Sequence, residues 1–246
     1  MWTRLKLDLW LTLGAALFPL SVAAVPADLP DPEEVNLPLV EIEYAPEIML
    51  PYRDRRDSWS WIFAVRHEKY LPTGYTSELD GENYDFLFGD EPVGLVGLEG
   101  GGKYNLSFGS IAFSGSFGKG SLRDARSGAP TILEITKTSG HLGLWLDVLF
   151  KEPYVVPYAQ VDVSYVDYSE MVGRANSTGT SSALFGWTAG ALLQLNWLDE
   201  DAALRALSGS SLNNTYLDLF MMQSQTNSRP DLSTAMSWGA ALKLEF

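Results

Sequence analysis

The chain has 246 residues, 46% of them hydrophobic, and a formal net charge of −14, an acidic balance that excludes a nucleic-acid partner, because such binders carry a basic footprint. It contains no cysteine, which excludes disulfides, thiolate metal sites and a lipid-modified N-terminal cysteine. Length and apolar content suffice for a sizeable core in one domain or two.

Residues 1–24, "MWTRLKLDLWLTLGAALFPLSVAA", place Arg4 and Lys6 before an apolar run and end it in small residues, with Val22 and Ala24 at the minus-three and minus-one places. That order is expected of a secretory signal peptide cleaved after Ala24. A membrane anchor is the competing reading, disfavoured because the run is shorter than the ~20 residues a spanning helix needs. Its removal takes away Arg4, Lys6 and Asp8, a net +1, and leaves −15. Beyond it no apolar run is long enough for a second spanning helix, whereas the strands of a transmembrane barrel, about 9–11 residues each, escape hydropathy windows.

Residues 25–57 are rich in proline and acidic residues and read as an extended periplasmic tail, with a short docking strand expected at 40–44, since proline cannot donate to a ladder. From Ser58 to Phe246 the period is two. "SWSWIFAVRHEKY" sets Trp59, Trp61, Phe63 and Val65 against Ser60, Ala64, Arg66 and Glu68. "VGLVGLEGGGKYNL" and "SIAFSGSFGKG" follow as strands two and three, with Glu99 and Lys103 on the polar parity and Phe113 and Phe117 on the apolar one. "TILEITKTSGHLGLWLDVLF" sets Leu142, Leu144 and Leu146 against Lys137, His141 and Asp147, and "YVVPYAQVDVSYVDY" sets Val161 and Val163 against Tyr158 and Asp162. "LFGWTAGALLQLNW", "TYLDLFMMQ" and the terminal "STAMSWGAALKLEF" complete eight strands.

The polar parity is rich in Gly, Ala, Ser, Gln and Asn with charges of both signs, including Arg66, Glu68, Glu99, Lys103, Asp162, Lys243 and Glu245. Small residues and opposite charges suit the crowded lumen of an eight-stranded barrel, which is just wide enough for side chains to fill. The other parity, with its Trp, Phe, Tyr and Leu, suits hydrocarbon bounded by aromatic girdles. A soluble ligand-binding barrel would have the faces reversed.

The links agree with this. "SFGS" and "KEP" are short, while "PTGYTSELDGENYDFLFGDEP", "KGSLRDARSGAP", "SEMVGRANSTGTSS" and "QSQTNSRPD" are longer, the rhythm of short periplasmic turns and long external loops. The exception is the sixth link, "LDEDAALRALSGSSLNN", where Asp199 is placed to cap a short periplasmic helix over 200–207, ended by Ser208 and Gly209. The expected fold class is therefore all-β: an eight-stranded antiparallel up-and-down transmembrane β-barrel with a short periplasmic helix between strands six and seven, occupying residues 58–246.

Because open edges cannot face lipid, the last strand must close on the first. Its alternation up to a terminal Phe246 resembles the assembly signal of outer-membrane barrels of Gram-negative bacteria. With the signal peptide and the eight strands, residues 58–246 resemble the small OmpA/OmpX/OmpW-like outer-membrane barrel class. The resemblance implies a bacterial outer-membrane location with both the N-terminal tail and the C-terminus periplasmic. It also implies contact with outer-membrane lipids and lipopolysaccharide, and recognition by the barrel-assembly machinery through the Phe246 strand.

Candidates for chemistry are few. His67 lies near the outer end of strand one and His141 on the lumen parity of strand four, with Asp147 and Asp162 also facing inward. Lipid-modifying barrels, deacylases or acyltransferases, use a histidine with serine and an acid, but His67 and Glu68 have opposite parity and cannot join in one site. The first external loop carries Glu78, Asp80, Glu82, Asp85, Asp90 and Glu91 without the spacing of a calcium loop. "GLEGGGKY" lacks the serine or threonine that follows the lysine of a phosphate loop, and no helix follows it. No catalytic, cofactor-binding or metal-binding residue is therefore assigned. The expected function is a structural or surface-interaction barrel with a lumen plugged by polar side chains and external loops that meet a partner. The alternatives are a narrow porin-like channel, should Arg66, Lys103, Lys137 and Lys243 leave a path, and a lipid-modifying enzyme.

Overall fold

The computed structural model describes residues 50–124, 130–227 and 229–246. The signal peptide and the 40–44 strand expected in the tail lie outside these residues. In chain order the elements are helical turn α1 (Tyr52–Arg55), β1 (Trp59–Tyr70), α2 (Tyr84–Phe88), β2 (Val93–Leu106), β3 (Gly109–Asp124), β4 (Thr131–Trp145), β5 (Val155–Val172), β6 (Ala175–Thr180), β7 (Leu184–Gln194), a 3-10 turn (Asn196–Leu198), α3 (Glu200–Ser210), β8 (Asn214–Gln225) and β9 (Thr234–Glu245).

Eight of the strands close a barrel in the order β1-β2-β3-β4-β5-β7-β8-β9, antiparallel throughout, and β9 pairs back to β1. Closure reaches the last residue: Phe246 N donates to Trp61 O at 2.9 Å, and Trp61 N donates to Phe246 O at 2.8 Å. The Phe246 ring meets Phe63 edge-on, with centroids 6.2 Å apart. No sheet edge is left in the wall, as a structure surrounded by hydrocarbon requires.

Residues 50–58, the C-terminal residue, the β2–β3 and β4–β5 links and the β7–β8 link that carries α3 lie at one end, here the base, and the links after β1, β5 and β8 lie at the other, the loop end. Alternation sorts the faces as the sequence pattern predicts. Trp61, Phe63, Val65, Leu98, Phe117, Val161, Phe185 and Trp238 are exposed on the outside, while Arg66, Glu99, Lys103, His141, Asp162, Asp218, Lys243 and Glu245 are buried inside. Glycine permits close strand approach between β2 and β3, where a Cβ on Gly101 would sit 2.1 Å from Phe113 O.

Several boundaries differ from the sequence expectation. Strand four ends at Trp145, not Phe150: Leu146 N still bonds Pro157 O, and Asp147 then turns into the lumen to meet Lys103. Strand six ends at Gln194, and Asn196–Leu198 form a 3-10 turn leading to α3. That helix begins where expected, with Ala202 N donating to Asp199 Oδ1 at 2.8 Å. It runs on to Ser210 because the Ser208 and Ser210 hydroxyls bond back to Leu204 O and Ala206 O, and it stops at Ser211 in the left-handed region, φ 58°. The third long link is a hairpin, β5 extending to Val172 and returning as β6.

Candidate functional site: a filled lumen and its two closures

At the base, α1 drops Tyr52 into the barrel, fully buried. Lys103 Nζ lies 2.7 Å from Glu245 Oε1 and 3.1 Å from Asp147 Oδ2. The Tyr52 hydroxyl accepts from Lys103 Nζ and donates to Glu245 Oε1 at 2.9 Å. Burial, reinforced by Tyr216, Glu245 and Asp147, raises the Tyr52 phenol well above its ordinary range, so it stays protonated and serves as donor to the carboxylates. Ser110 Oγ donates to Asp147 at 2.6 Å and Tyr216 OH to Glu245 at 3.0 Å. Arg56 pairs with Asp147 at 3.1 Å, and Arg55 donates to Asn214 Oδ1 at 2.9 Å. Residues 52–56, read from the sequence as part of an extended tail, thus complete the lowest layer of the lumen.

The middle of the lumen is a second ion network. Lys243 Nζ is 3.1 Å from Asp218 and 3.4 Å from Glu99, and Arg66 bonds Glu99 at 3.3 Å with its guanidinium 4.9 Å from the Phe220 ring centroid. Lys137 Nζ meets Glu68 at 2.6 Å. Each of the four bases that a conducting path would have to bypass is bound to a carboxylate. A void bounded by Arg66, Glu68, Ser116 and Lys137 measures about 10 Å³, room on the order of one water molecule.

The two histidines part company. His67 lies on the outward face. His141 is buried, its Nδ1 2.6 Å from Asp162 Oδ1 and its Nε2 2.9 Å from Ser116 Oγ. The register explains the grouping: His141 stands opposite both Ser114 and Asp162, with Ser116 on the diagonal. Ser116, His141 and Asp162 follow the nucleophile, base and orienting-acid order of a hydrolytic triad, and Arg66 Nη1 sits 3.3 Å from both Ser116 Oγ and His141 Nε2. Asp147, the other inward acid considered with His141, belongs to the base cluster instead.

The loop end closes differently. There the inward side chains Val93, Leu95, Leu133, Ile135, Val166 and Leu184 are apolar, and the first long link folds over them with Tyr75, Tyr84, Leu87 and Phe88. The upper lumen is largely apolar, with Glu170 buried among these side chains, and the first external loop, acidic in sequence, contributes an apolar cap. Tyr75 OH donates to Glu170 at 2.8 Å and Tyr70 OH to Leu232 O at 2.6 Å. Glu78 accepts from Tyr168 OH at 2.7 Å and from Ser177 Oγ on β6, and these bonds lower its carboxyl from the ordinary 4.5. Among the described residues no group of three or more His, Asp or Glu side chains is arranged to hold a metal ion.

No protein-family model and no curated relative matches the sequence. Among solved structures, neisserial surface protein A is 13% identical, with a TM-score of 0.41 over 77% of this chain and 95% of its own. Ail, the attachment invasion locus protein of Yersinia pestis, is 12% identical, with a TM-score of 0.45 over 78% of this chain and 100% of its own. The β domain of the Bordetella autotransporter BrkA is 11% identical, with a TM-score of 0.32 over 76% and 69%.

Proposed function

We propose that the chain is a bacterial outer-membrane β-barrel with a structural or surface-interaction role and a closed lumen. The supporting observation is the pairing of an apolar outer face with a filled interior. A surface bearing Trp61, Phe63, Leu98, Phe117, Phe185 and Trp238 all round the wall exceeds the apolar patch a soluble monomer exposes and matches a hydrocarbon belt. In this reading the signal peptide directs export, and the tail and C-terminus stay in the periplasm. The Phe246 strand is read by the assembly machinery, while α2, the β5–β6 hairpin and the other long links face outward toward lipopolysaccharide or a protein partner. Planar-bilayer recording of the refolded barrel should give no steady single-channel steps, whereas discrete reproducible openings would overturn the closed lumen.

An enzymatic reading draws on the Ser116–His141–Asp162 order. A void of about 10 Å³ beside Ser116 admits a water molecule and not an acyl ester, so we assign the three residues to the structural network. Ester or lipid A turnover that disappeared in Ser116→Ala, with the barrel still folded, would reverse that assignment.

A further inference from the structure

The outward face of β1–β3 changes character at its loop end. Lower on the wall it carries Val65, Leu98 and Phe117, each more than half exposed. Above them, alternation brings His67 and Lys69 on β1, Gly94 and Val96 on β2, and Lys119, Ser121 and Arg123 on β3 to the same face. Lys69 stands opposite Gly94, and His67 stands opposite Val96, which in turn faces Lys119 across the β2–β3 ladder. Continuing that register by two residues sets Gly94 level with Ser121.

The result is a depression with a cationic rim. Gly94 has no side chain, and a Cβ built on it would meet only the ring edge of His67, whose Nε2 would lie 3.3 Å away, so the centre of the patch is open. Lys69 flanks it on β1. Lys119 and Arg123 stand on β3 to either side of Ser121, each rising from a backbone position ~8 Å from Gly94 by strand spacing and rise, within reach of a long side chain folded over the glycine. In a chain of net charge −14, this face of β1–β3 carries three cations and, among the described residues, no carboxylate. Glu134 on β4, 3.3 Å from Lys119, and Asp167 on β5, opposite Thr136, bound the patch on its far side. Lys69 Nζ lies 4.3 Å from the Trp238 ring centroid, and a tryptophan at the edge of an apolar belt marks the level where hydrocarbon meets headgroups.

We propose that this depression binds a phosphate monoester on the headgroup of an outer-leaflet glycolipid. The phosphate sits over Gly94 and accepts hydrogen bonds from Lys69, Ser121 and Arg123, while the acyl chains run down the wall over Val65, Leu98 and Phe117. The proposal rests on the outer-membrane reading above and adds to it the sector of the wall and the group recognised. A phosphate monoester carries up to two negative charges and three acceptor oxygens, and so takes several charge-assisted bonds at once. A zwitterionic headgroup would bring a cation against a cationic rim, and a free anion would gain nothing from the apolar wall beneath.

The test offers the refolded mature barrel, in detergent, equal amounts of bisphosphorylated lipid A and its dephosphorylated form, and identifies the retained lipid by native mass spectrometry. The phosphorylated form should be retained roughly tenfold over the other, the scale of one charge-assisted hydrogen bond. Gly94→Leu, which fills the depression and changes no charge, should abolish that preference, and so should the double variant Lys69→Gln/Arg123→Gln, while both keep the heat-dependent gel mobility of a folded barrel. Glu134→Gln, which releases Lys119, should raise it. Equal retention of the two lipids by a folded barrel, or a preference that Gly94→Leu leaves unchanged, overturns the site and leaves the outer-membrane reading standing. Displacement of the bound lipid by millimolar inorganic phosphate makes the depression a free-phosphate site and overturns its assignment to a lipid. A mature protein that stays in solution without detergent and shows no heat-dependent shift overturns both the site and the reading beneath it.

Discussion

Lys103 shows what a single lumen charge does. It is fully buried, 2.7 Å from Glu245 and 3.1 Å from Asp147, with Tyr52 as a third partner. Lys103→Met removes the cation and strands two carboxylates out of water, and breaking a buried pair from one side costs about 3–5 kcal/mol. Urea-dependent unfolding in detergent should report a loss of that size. The outward Lys119, paired with Glu134 at 3.3 Å but largely exposed, should lose less than about 1 kcal/mol as Lys119→Met in the same assay. Glu78 supplies the pH dependence at this scale. Because its carboxyl is lowered by bonds from Ser177 and Tyr168, its clasp is present above the ordinary carboxylate value and is lost as pH falls through the lowered one. NMR titration should place the Glu78 midpoint below 4.5, and Tyr168→Phe should move it upward.

At the scale of elements, α1 and α3 carry the clearest expectations. Tyr52→Ala removes a buried aromatic plug from the base, a change worth about 3–5 kcal/mol in a packed core. Tyr52→Phe keeps the ring but leaves the carboxylates without the hydroxyl, and should cost about 1–3 kcal/mol by the same denaturation. Asp199→Ala removes the cap of α3 and should lower the protection of its amides to hydrogen exchange by the equivalent of ~1 kcal/mol, with the strands unaffected.

These elements also mark how far the sequence reading reached. Strands were legible because a barrel wall sends successive residues to hydrocarbon and lumen, and residues 58–246 alternate nearly throughout. The role of Tyr52 was not, since it depends on partners at 103, 147 and 245 brought together only by closure. The histidine–acid pairing was half legible: parity put His141 and Asp162 inside, but their contact, and that of Ser116, follows from strand register, which alternation alone does not fix. The apolar cap at the loop end was hidden in a link whose acids drew attention away from Tyr75, Tyr84, Leu87 and Phe88.

For the whole molecule, the closing strand and the two-faced wall belong together. Main-chain bonds from Phe246 to Trp61 complete the cylinder, the apolar belt wraps it, and paired ions fill its lower and middle layers. Deleting Phe246 removes the last hydrogen-bonded pair of the seam and the contact with Phe63, so refolding into detergent should give a lower yield of folded barrel than the full chain gives. The most direct test of the account is the electrophoretic mobility of the mature protein taken from cell fractions, compared with and without boiling. The account predicts an outer-membrane protein that migrates as a compact band unheated and shifts on boiling, because a closed hydrogen-bonded cylinder resists detergent until heated. A single unshifted band recovered from the soluble fraction would contradict it.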